Sequence, residues 1–144
     1  MKVIIEDLLD GEEECVIFKT RALSENMLKA LQLLKSPGDL TVYLEDQVVL
    51  LDIGSVYYVE SIDLKTFVYG KQQLYRSRLK LYEIEELLAY SDFLRISKQT
   101  LVNVKKIKGI SPAGGGRFQA LLKNEEKVLI SRQYVPQLKE RFGL

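Results

Sequence analysis

The sequence contains no histidine, no tryptophan and a single cysteine among its 144 residues. Without histidine the chain lacks the commonest general base, the Ser–His and Cys–His nucleophile pairs, and histidine-containing metal sites. The single cysteine, Cys15, permits no internal disulfide, which is typical of proteins in a reducing compartment. These absences argue against the most frequent enzyme and metalloprotein classes, and the sequence predicts no cofactor, no metal site and no small-molecule substrate.

Long apolar runs are missing as well. No stretch approaches the roughly 20 apolar residues needed to span a bilayer. The first seven residues already include two acidic side chains, which is unlike a signal peptide. With 47% hydrophobic and 28% charged residues, the composition is that of a soluble globular protein, and we expect a cytoplasmic location.

The charges are divided unevenly along the chain. Residues 1–60 carry 5 Lys or Arg against 12 Asp or Glu, a balance of −7. Residues 61–144 carry 16 Lys or Arg against 8 Asp or Glu, a balance of +8. A basic half favours a polyanionic partner, although solvating surface charges with no partner would give the same count.

The first 37 residues predict a small acidic ββα unit. Two apolar β-type runs, residues 3–5 and 15–18, flank an acidic turn, and Cys15 is expected in the core as part of the second run. Ser24 is placed to cap a helix whose apolar residues recur at helical spacing. Residues 36–39 interrupt that helix, so we place a domain boundary between residues 37 and 38.

From residue 38 onward the pattern favours short strands. The predicted strands are residues 41–44, 48–51, 56–61, 66–69, 73–77, 93–96, 107–111, 118–122 and 127–130. Helices are predicted for residues 79–90 and after Tyr134, where Pro136 suits a first turn and Gly143 an end. Many strands at hairpin spacing predict a mostly β (α+β) fold with antiparallel sheets.

No catalytic constellation is visible. The glycine cluster Gly114–Gly116 lacks the spacing of a phosphate loop and is followed by a strand, so it predicts a hairpin tip. Glu83, Glu85 and Glu86 lie on one exposed helix, which is typical of a solvated face and not of converging catalytic carboxylates.

Basic and amide side chains gather near the ends of the predicted strands. Lys and Arg bind phosphates, and Arg, Lys, Asn, Gln and Thr bind base edges. In a protein of hairpins these side chains can share one edge, but an ordinary charged surface has the same composition. The candidates are Lys65, Thr66, Arg95, Lys98, Gln99, Asn103, Lys105, Arg132 and Gln133.

Three ordered motifs resemble one known family. Residues 93–103 (FLRISKQTLVN) resemble the central F-x-R-x-[HS]-[RK]-S-x-[LIV]-V-N signature of LytTR-type DNA-binding domains. Residues 56–61 (VYYVES) are similar to the family's I-x-Y-I-E-S strand, and residues 128–134 (VLISRQY) to its closing V-x-[IV]-S-R-x-[YF] segment. The resemblance covers about residues 38–144.

The resemblance implies an elongated fold of antiparallel sheets and a sequence-specific regulator of transcription. In this family, loops between strands enter successive major grooves of double-stranded DNA and bend it, so part of the specificity is indirect. The matching loops fall at Lys65 and Thr66, at residues 97–99, and at Arg132 beside Gln133. Arg132 is the best candidate for a bidentate guanine contact, and Lys98 for a phosphate or guanine.

Further expectations follow for the motif itself. Asn103 fits the signature but is also suited to capping a turn, and Arg95 is expected either to contact DNA or to pair with a carboxylate. Where many members have histidine this chain has Ser97, and where many have serine it has Gln99, so the preferred DNA sequence is expected to differ.

The resemblance also bears on organisation and partners. Residues 1–37 are too short for a response-regulator receiver domain, so we expect a stand-alone member. Paired half-sites imply a homodimer, and pairing of residues 3–5 across two subunits would cover exposed strand edges. A regulatory membrane protein is a further expected partner.

Two other functions remain open at the level of sequence. The basic loops would also suit a protein-interaction module with an acidic partner. Binding of single-stranded nucleic acid on an open sheet would need exposed aromatic residues, for which Tyr57, Tyr58 and Tyr69 are candidates.

Overall fold

The computed structural model describes residues 1–34 and 38–144. Within these ranges, no helix has the length and apolar character needed to cross a membrane. The helices are α1 (Glu25–Leu34), α2 (Leu81–Leu87) and α3 (Val135–Arg141). The strands are β1 (Asp39–Leu44), β2 (Gln47–Asp52), β3 (Tyr58–Ile62), β4 (Lys65–Tyr69), β5 (Leu74–Ser77), β6 (Phe93–Ser97), β7 (Thr100–Asn103), β8 (Ile107–Gly114), β9 (Arg117–Leu122) and β10 (Lys127–Ile130).

The strands form two antiparallel sheets. One has seven strands in the order β2-β1-β5-β4-β3-β7-β6, and the other has three in the order β10-β9-β8. Most neighbours are consecutive in the chain because short turns join them. The β3–β4 turn has two residues, Asp63 and Leu64, both with positive φ (51° and 65°), which is the turn geometry that matches the twist of paired strands.

Two hydrophobic clusters hold the sheets and helices together. The first packs α2, through Leu81 and Ile84, against one face of the seven-stranded sheet. The second joins strands of both sheets to α3, whose Val135 and Leu138 are buried in it. In both, burial of apolar side chains supplies the main stabilising free energy. The packed sheets therefore fix the positions of the strand ends between which the turns lie.

The mostly β fold with antiparallel sheets and short helices agrees with the sequence prediction. The sequence pattern does not predict strand β7 (Thr100–Asn103), whose residues it covers only as part of a motif. All four of its residues are buried, so it lacks the alternation of apolar and polar residues that marks a half-exposed strand. The helix predicted at residues 79–90 is shorter, Leu81–Leu87.

The ββα prediction for the N-terminal residues is wrong in its strands. Only α1 forms among residues 1–34, and residues 3–5 and 15–18 have no strand partner within the described chain. A strand needs a neighbour for its backbone hydrogen bonds, and the sheets offer none here. Cys15 is exposed and not in the core, for the same reason. The predicted boundary between residues 37 and 38 falls at residues 35–37, outside the described residues.

Candidate nucleic-acid interface

One end of the seven-stranded sheet gathers several connections. Successive antiparallel strands reverse direction, so every second connection lies at the same end. The β3–β4 turn lies at this end. Glu60 of β3 pairs with Thr100 of β7, which brings the β6–β7 turn beside it. Thr66 of β4 pairs with Ser77 of β5, so β5 also ends here.

The three-stranded sheet contributes two more segments to the same end. Phe118 pairs with Ile130, so β10 ends where β9 begins, next to the β8–β9 turn. The Ser131 N–H donates to the Ile96 carbonyl at 2.8 Å, which joins the end of β10 to the end of β6. We call this end of the two sheets the loop edge; it consists of residues 63–65, 78, 98–99, 114–117 and 131–133.

Backbone hydrogen bonds fix the β6–β7 turn. The Ser61 N–H donates to the Gln99 carbonyl at 2.8 Å, which ties this turn to the neighbouring β3–β4 hairpin. The Gln99 N–H donates to the Ser97 Oγ at 3.2 Å. With its backbone held on both sides, the turn presents the exposed Lys98 and Gln99 side chains from a rigid support.

Arg95 supports the same turn from beneath. Its Nε donates to the Ser97 carbonyl at 2.7 Å, and its Nη2 donates to the Lys98 carbonyl. Its Nη1 lies 3.1 Å from the Glu85 carboxylate on α2. With its guanidinium engaged on three sides and its side chain 20% exposed, Arg95 positions the turn and pairs with a carboxylate, the second of the two roles predicted for it.

The β8–β9 turn lies against Arg132. Gly114, Gly115 and Gly116 all have positive φ, at 86°, 63° and 78°, a conformation in which other residues are strained. The aliphatic part of Arg132 passes directly over Gly116: a Cβ at that position would lie 2.7 Å from Cδ and 3.0 Å from Cγ of Arg132. The hairpin tip predicted for the glycine cluster is confirmed, and it is part of the loop edge.

The loop edge is strongly basic. Its segments contain one carboxylate, Asp63, against five cations. None of the ion pairs found among residues 1–34 and 38–144 involves these cations. All five side chains are exposed, so an external anion can reach each one. The cations are Lys65, Arg78, Lys98, Arg117 and Arg132.

A groove of about 380 Å³ separates β10 from the β3 and β7 strands beside the loop edge. Burial raises the pKa of Glu60, which lines it. The Tyr58 hydroxyl donates to the Glu126 carboxylate at 2.8 Å, and burial together with that bond raises the pKa of Tyr58. Tyr58 also stacks on Tyr69, with ring centroids 4.1 Å apart.

Comparison with known proteins decides the family. The profile of the LytTr DNA-binding domain matches residues 46–143 of the chain. The chain belongs to the LytTr DNA-binding domain family. Its fold matches a solved LytTr DNA-binding domain, that of a methyl-accepting/DNA response regulator from Bacillus cereus, with a TM-score of 0.71 and 28% identity over 76% of this chain and all of that one.

Two relatives of this LytTr domain differ in the share of their own length that the match covers. The sensory transduction protein LytT of Enterococcus faecalis is 31% identical over 100 residues, which is 69% of this chain but 41% of that protein. An uncharacterized HTH-type transcriptional regulator of Staphylococcus aureus is 25% identical over 120 residues, covering 83% of this chain and 81% of that protein. The resemblance inferred from the motifs is therefore confirmed, and the family is one of DNA-binding domains, not of enzymes.

Most of the predicted site residues of this LytTr domain come together. Those placed at or next to the loop edge are exposed or half-buried and come from three separate segments of the chain. They are Lys65, Ser97, Lys98, Gln99, Arg132 and Gln133.

Arg95 lies beneath the β6–β7 turn and is paired with Glu85, and three further predicted site residues do not join the loop edge. Thr66 is 4% exposed, inside the β4–β5 pairing. Asn103 is 2% exposed; its Nδ2 donates to the Val56 carbonyl at 2.9 Å and its Oδ1 accepts from the Lys105 N–H at 3.0 Å. Lys105 follows β7 at the opposite end of the sheet, more than the ~10 Å length of that strand from the loop edge. Burial of Thr66 and Asn103 and the position of Lys105 therefore place these three residues apart from the loop edge, and their predicted DNA contacts stay predictions.

Arg78, Arg117 and Gly116 were missed by sequence reasoning. Arg78 follows β5 directly, and its guanidinium lies 4.3 Å from the centre of the Tyr43 ring. Arg117 donates from Nε to the Gly114 carbonyl at 3.3 Å. The alternation of strand direction could have found both arginines, since each adjoins a strand that runs to or from the same end. Nothing local in the sequence marks the contact between Gly116 and Arg132.

Proposed function

We propose that this protein is a transcriptional regulator that binds double-stranded DNA sequence-specifically, with the loop edge in the major groove. The observation that carries the proposal is the convergence of five chain segments, with five exposed cations, at one end of the sheets. Phosphate contacts by Lys and Arg supply affinity, and side chains that reach base edges supply specificity.

The arrangement favours loops over a recognition helix. Between α1 and α2 lie five strands, and another five lie between α2 and α3, so the described residues contain no helix–turn–helix. Turns separated across a sheet can follow a curved groove and reach successive turns of the duplex, which suits DNA that bends toward the protein. Arg132 and Gln99 are the candidates for base contacts, and Lys65, Arg78, Lys98 and Arg117 for phosphates.

The first experiment is selection from a randomised duplex library with the purified full-length chain at near-physiological salt. We expect a short motif, in two spaced copies. On the selected duplex, Arg132→Ala should remove discrimination at one base position, by roughly 1–3 kcal/mol. Failure to select any motif, with binding lost on modest addition of salt, would contradict the proposal and favour an acidic protein partner.

Salt dependence separates the loop edge from the rest of the surface. Each phosphate neutralised contributes about −0.9 to the slope of log K against log salt concentration. Lys98→Ala should therefore make the slope less steep by about 0.9. Lys105→Ala is the matched control, an exposed lysine at the other end of the same hairpin, and should leave the slope unchanged. Equal effects of the two substitutions would contradict the placement of DNA at the loop edge.

Binding of single-stranded nucleic acid would need exposed aromatic rings, and the three candidate tyrosines are largely covered. Tyr57 and Tyr58 are 5% and 9% exposed, and Tyr69 is half-buried with one ring face stacked on Tyr58, so the three rings offer little surface to a base. We therefore expect the selected duplex to bind more tightly than either of its single strands.

We further propose that residues 1–37 mediate a homodimer and residues 38–144 bind DNA. Val3 and Ile5 are 82% and 93% exposed, and Leu33 on α1 is 89% exposed. A second copy would supply both apolar cover and a partner for the unpaired backbone of residues 3–5. Light scattering should give a dimer mass for the full chain and a lower mass for Ile5→Asp. A monomer at high concentration would overturn this proposal.

A further inference from the structure

We propose that Gly116 is a positioning residue for Arg132, so that the β8–β9 turn sets the base preference of the domain without contacting a base. This inference rests on the proposed DNA-binding function. It arises from the contact between the backbone of a hairpin tip and the side chain of a residue from another strand connection. Arg132 alone does not determine where its guanidinium lies; the surface beneath its methylene groups does.

An arginine side chain at a strand exit has four rotatable bonds and, when exposed, moves among many rotamers. Arg132 is exposed, and it has no ion pair among those found in the described residues. Packing its Cγ and Cδ on the bare Gly116 backbone restricts that movement. A guanidinium held in place before binding loses less entropy on contact, and its two donors meet the N7 and O6 of a guanine in a fixed geometry.

Only glycine permits this contact. A Cβ at position 116 would stand 2.7 Å from Cδ of Arg132, a separation at which one of the two must move. The atoms in the way are the middle of the Arg132 side chain and not its tip, so the whole guanidinium would be displaced. The neighbouring segments hold the two backbones in place, since Ser131 is hydrogen-bonded to Ile96 and β9 is paired with both β8 and β10.

The same turn supplies a matched control. Gly114 has φ +86° and Gly116 has φ +78°, so alanine is strained to a similar degree at both positions. Among the described residues, a Cβ at Gly114 meets no atom within 4 Å, whereas one at Gly116 meets Arg132. Comparing Gly116→Ala with Gly114→Ala therefore separates displacement of Arg132 from strain in the turn.

The test measures affinity of the full chain for the duplex selected by the wild-type protein and for the same duplex changed at each position. Gly114 also belongs to the loop edge, so its variant is compared for base preference and not for affinity: Gly114→Ala should change the affinity for all duplexes by the same factor. Gly116→Ala should lose preference at the base position that Arg132→Ala affects, within the range of about 5- to 150-fold that corresponds to 1–3 kcal/mol. In the Arg132→Ala background, Gly116→Ala should have no further effect, because the two substitutions act through one contact.

A second pair of variants keeps the comparison possible if the alanine variants do not fold. Asparagine tolerates positive φ better than alanine and still carries a Cβ, so Gly116→Asn and Gly114→Asn repeat the comparison with less strain. If Gly116→Ala and Gly116→Asn both keep the wild-type base preference while Arg132→Ala loses it, the positioning role is overturned and the proposed function stands. If the wild-type chain itself selects no duplex, both are overturned.

Discussion

Replacing Asn103 with alanine tests whether this buried side chain serves the fold or the DNA. Asn103 is 2% exposed and connects two parts of the backbone at the end of the sheet away from the loop edge. Its Nδ2 donates to the carbonyl of the buried Val56, and its Oδ1 accepts from the N–H of Lys105 within the short 3-10 turn Val104–Lys106. Alanine removes both bonds and supplies neither a donor nor an acceptor.

The expected loss of stability follows from those two bonds. Leaving the buried Val56 carbonyl without its partner costs about 1–3 kcal/mol. Losing the side chain that caps the 3-10 turn costs about 1 kcal/mol more. The free energy of unfolding should therefore fall by about 2–4 kcal/mol, which for a domain of this size lowers Tm by roughly 5–15 °C.

Chemical denaturation followed by circular dichroism measures the loss directly, and DNA binding is measured well below the lowered Tm. The control is Gln99→Ala, an amide on the exposed β6–β7 turn, which should change stability by less than about 0.5 kcal/mol. Base preference should survive in the folded Asn103→Ala protein. A variant with wild-type stability and no base preference would refute the assignment of Asn103 to the fold.

Two further perturbations test other parts of the structure. Leu64 has φ +65° and is fully exposed, so Leu64→Asn should relieve backbone strain and raise the free energy of unfolding by about 1 kcal/mol. The control, Leu87→Asn at an exposed helix position, should lower the free energy of unfolding. A decrease for Leu64→Asn would contradict the strain argument. Burial raises the pKa of Glu60, so the folded protein binds that proton more tightly than the unfolded chain and loses stability as the pH rises through the interval above 4.5. Glu60→Gln should therefore gain stability relative to wild type between pH 4 and pH 7 in denaturation experiments, and a constant difference would disprove the effect of burial.

The sequence predicted the strands with a clear apolar pattern and the turns with Gly, Asp or Asn. It failed where tertiary structure decides. Strand β7 is buried on both faces and so has no alternation, and the apolar runs at residues 3–5 and 15–18 have strand propensity but no neighbouring strand. Propensity describes what a segment can form, whereas pairing depends on what lies beside it.

Only part of the candidate site could be predicted from the sequence, because tertiary structure decides the rest of it as well. Motif positions located Lys98 and Arg132, because both adjoin recognisable strand ends. The same reasoning included Asn103, because the sequence alone does not distinguish a motif side chain that hydrogen-bonds within the fold from one that hydrogen-bonds to a ligand. Burial distinguishes the two, and burial depends on the pairing of β7 with β3. Arg78 and Arg117 were missed because their proximity arises from strand direction and not from local sequence.

The division of the sheets into two ends has a consequence for how such a domain can change. Connections at the end opposite the loop edge contain the groups that lock the fold, such as Asn103 and the bond from Tyr58 to Glu126. Connections at the loop edge mainly display side chains to solvent. If the loop edge binds DNA as proposed, binding preference and folding stability reside in largely separate sets of residues. Combinatorial libraries confined to the exposed loop-edge side chains without positive φ, at positions 65, 78, 98, 99, 132 and 133, should yield domains with new target sequences and nearly unchanged melting temperatures.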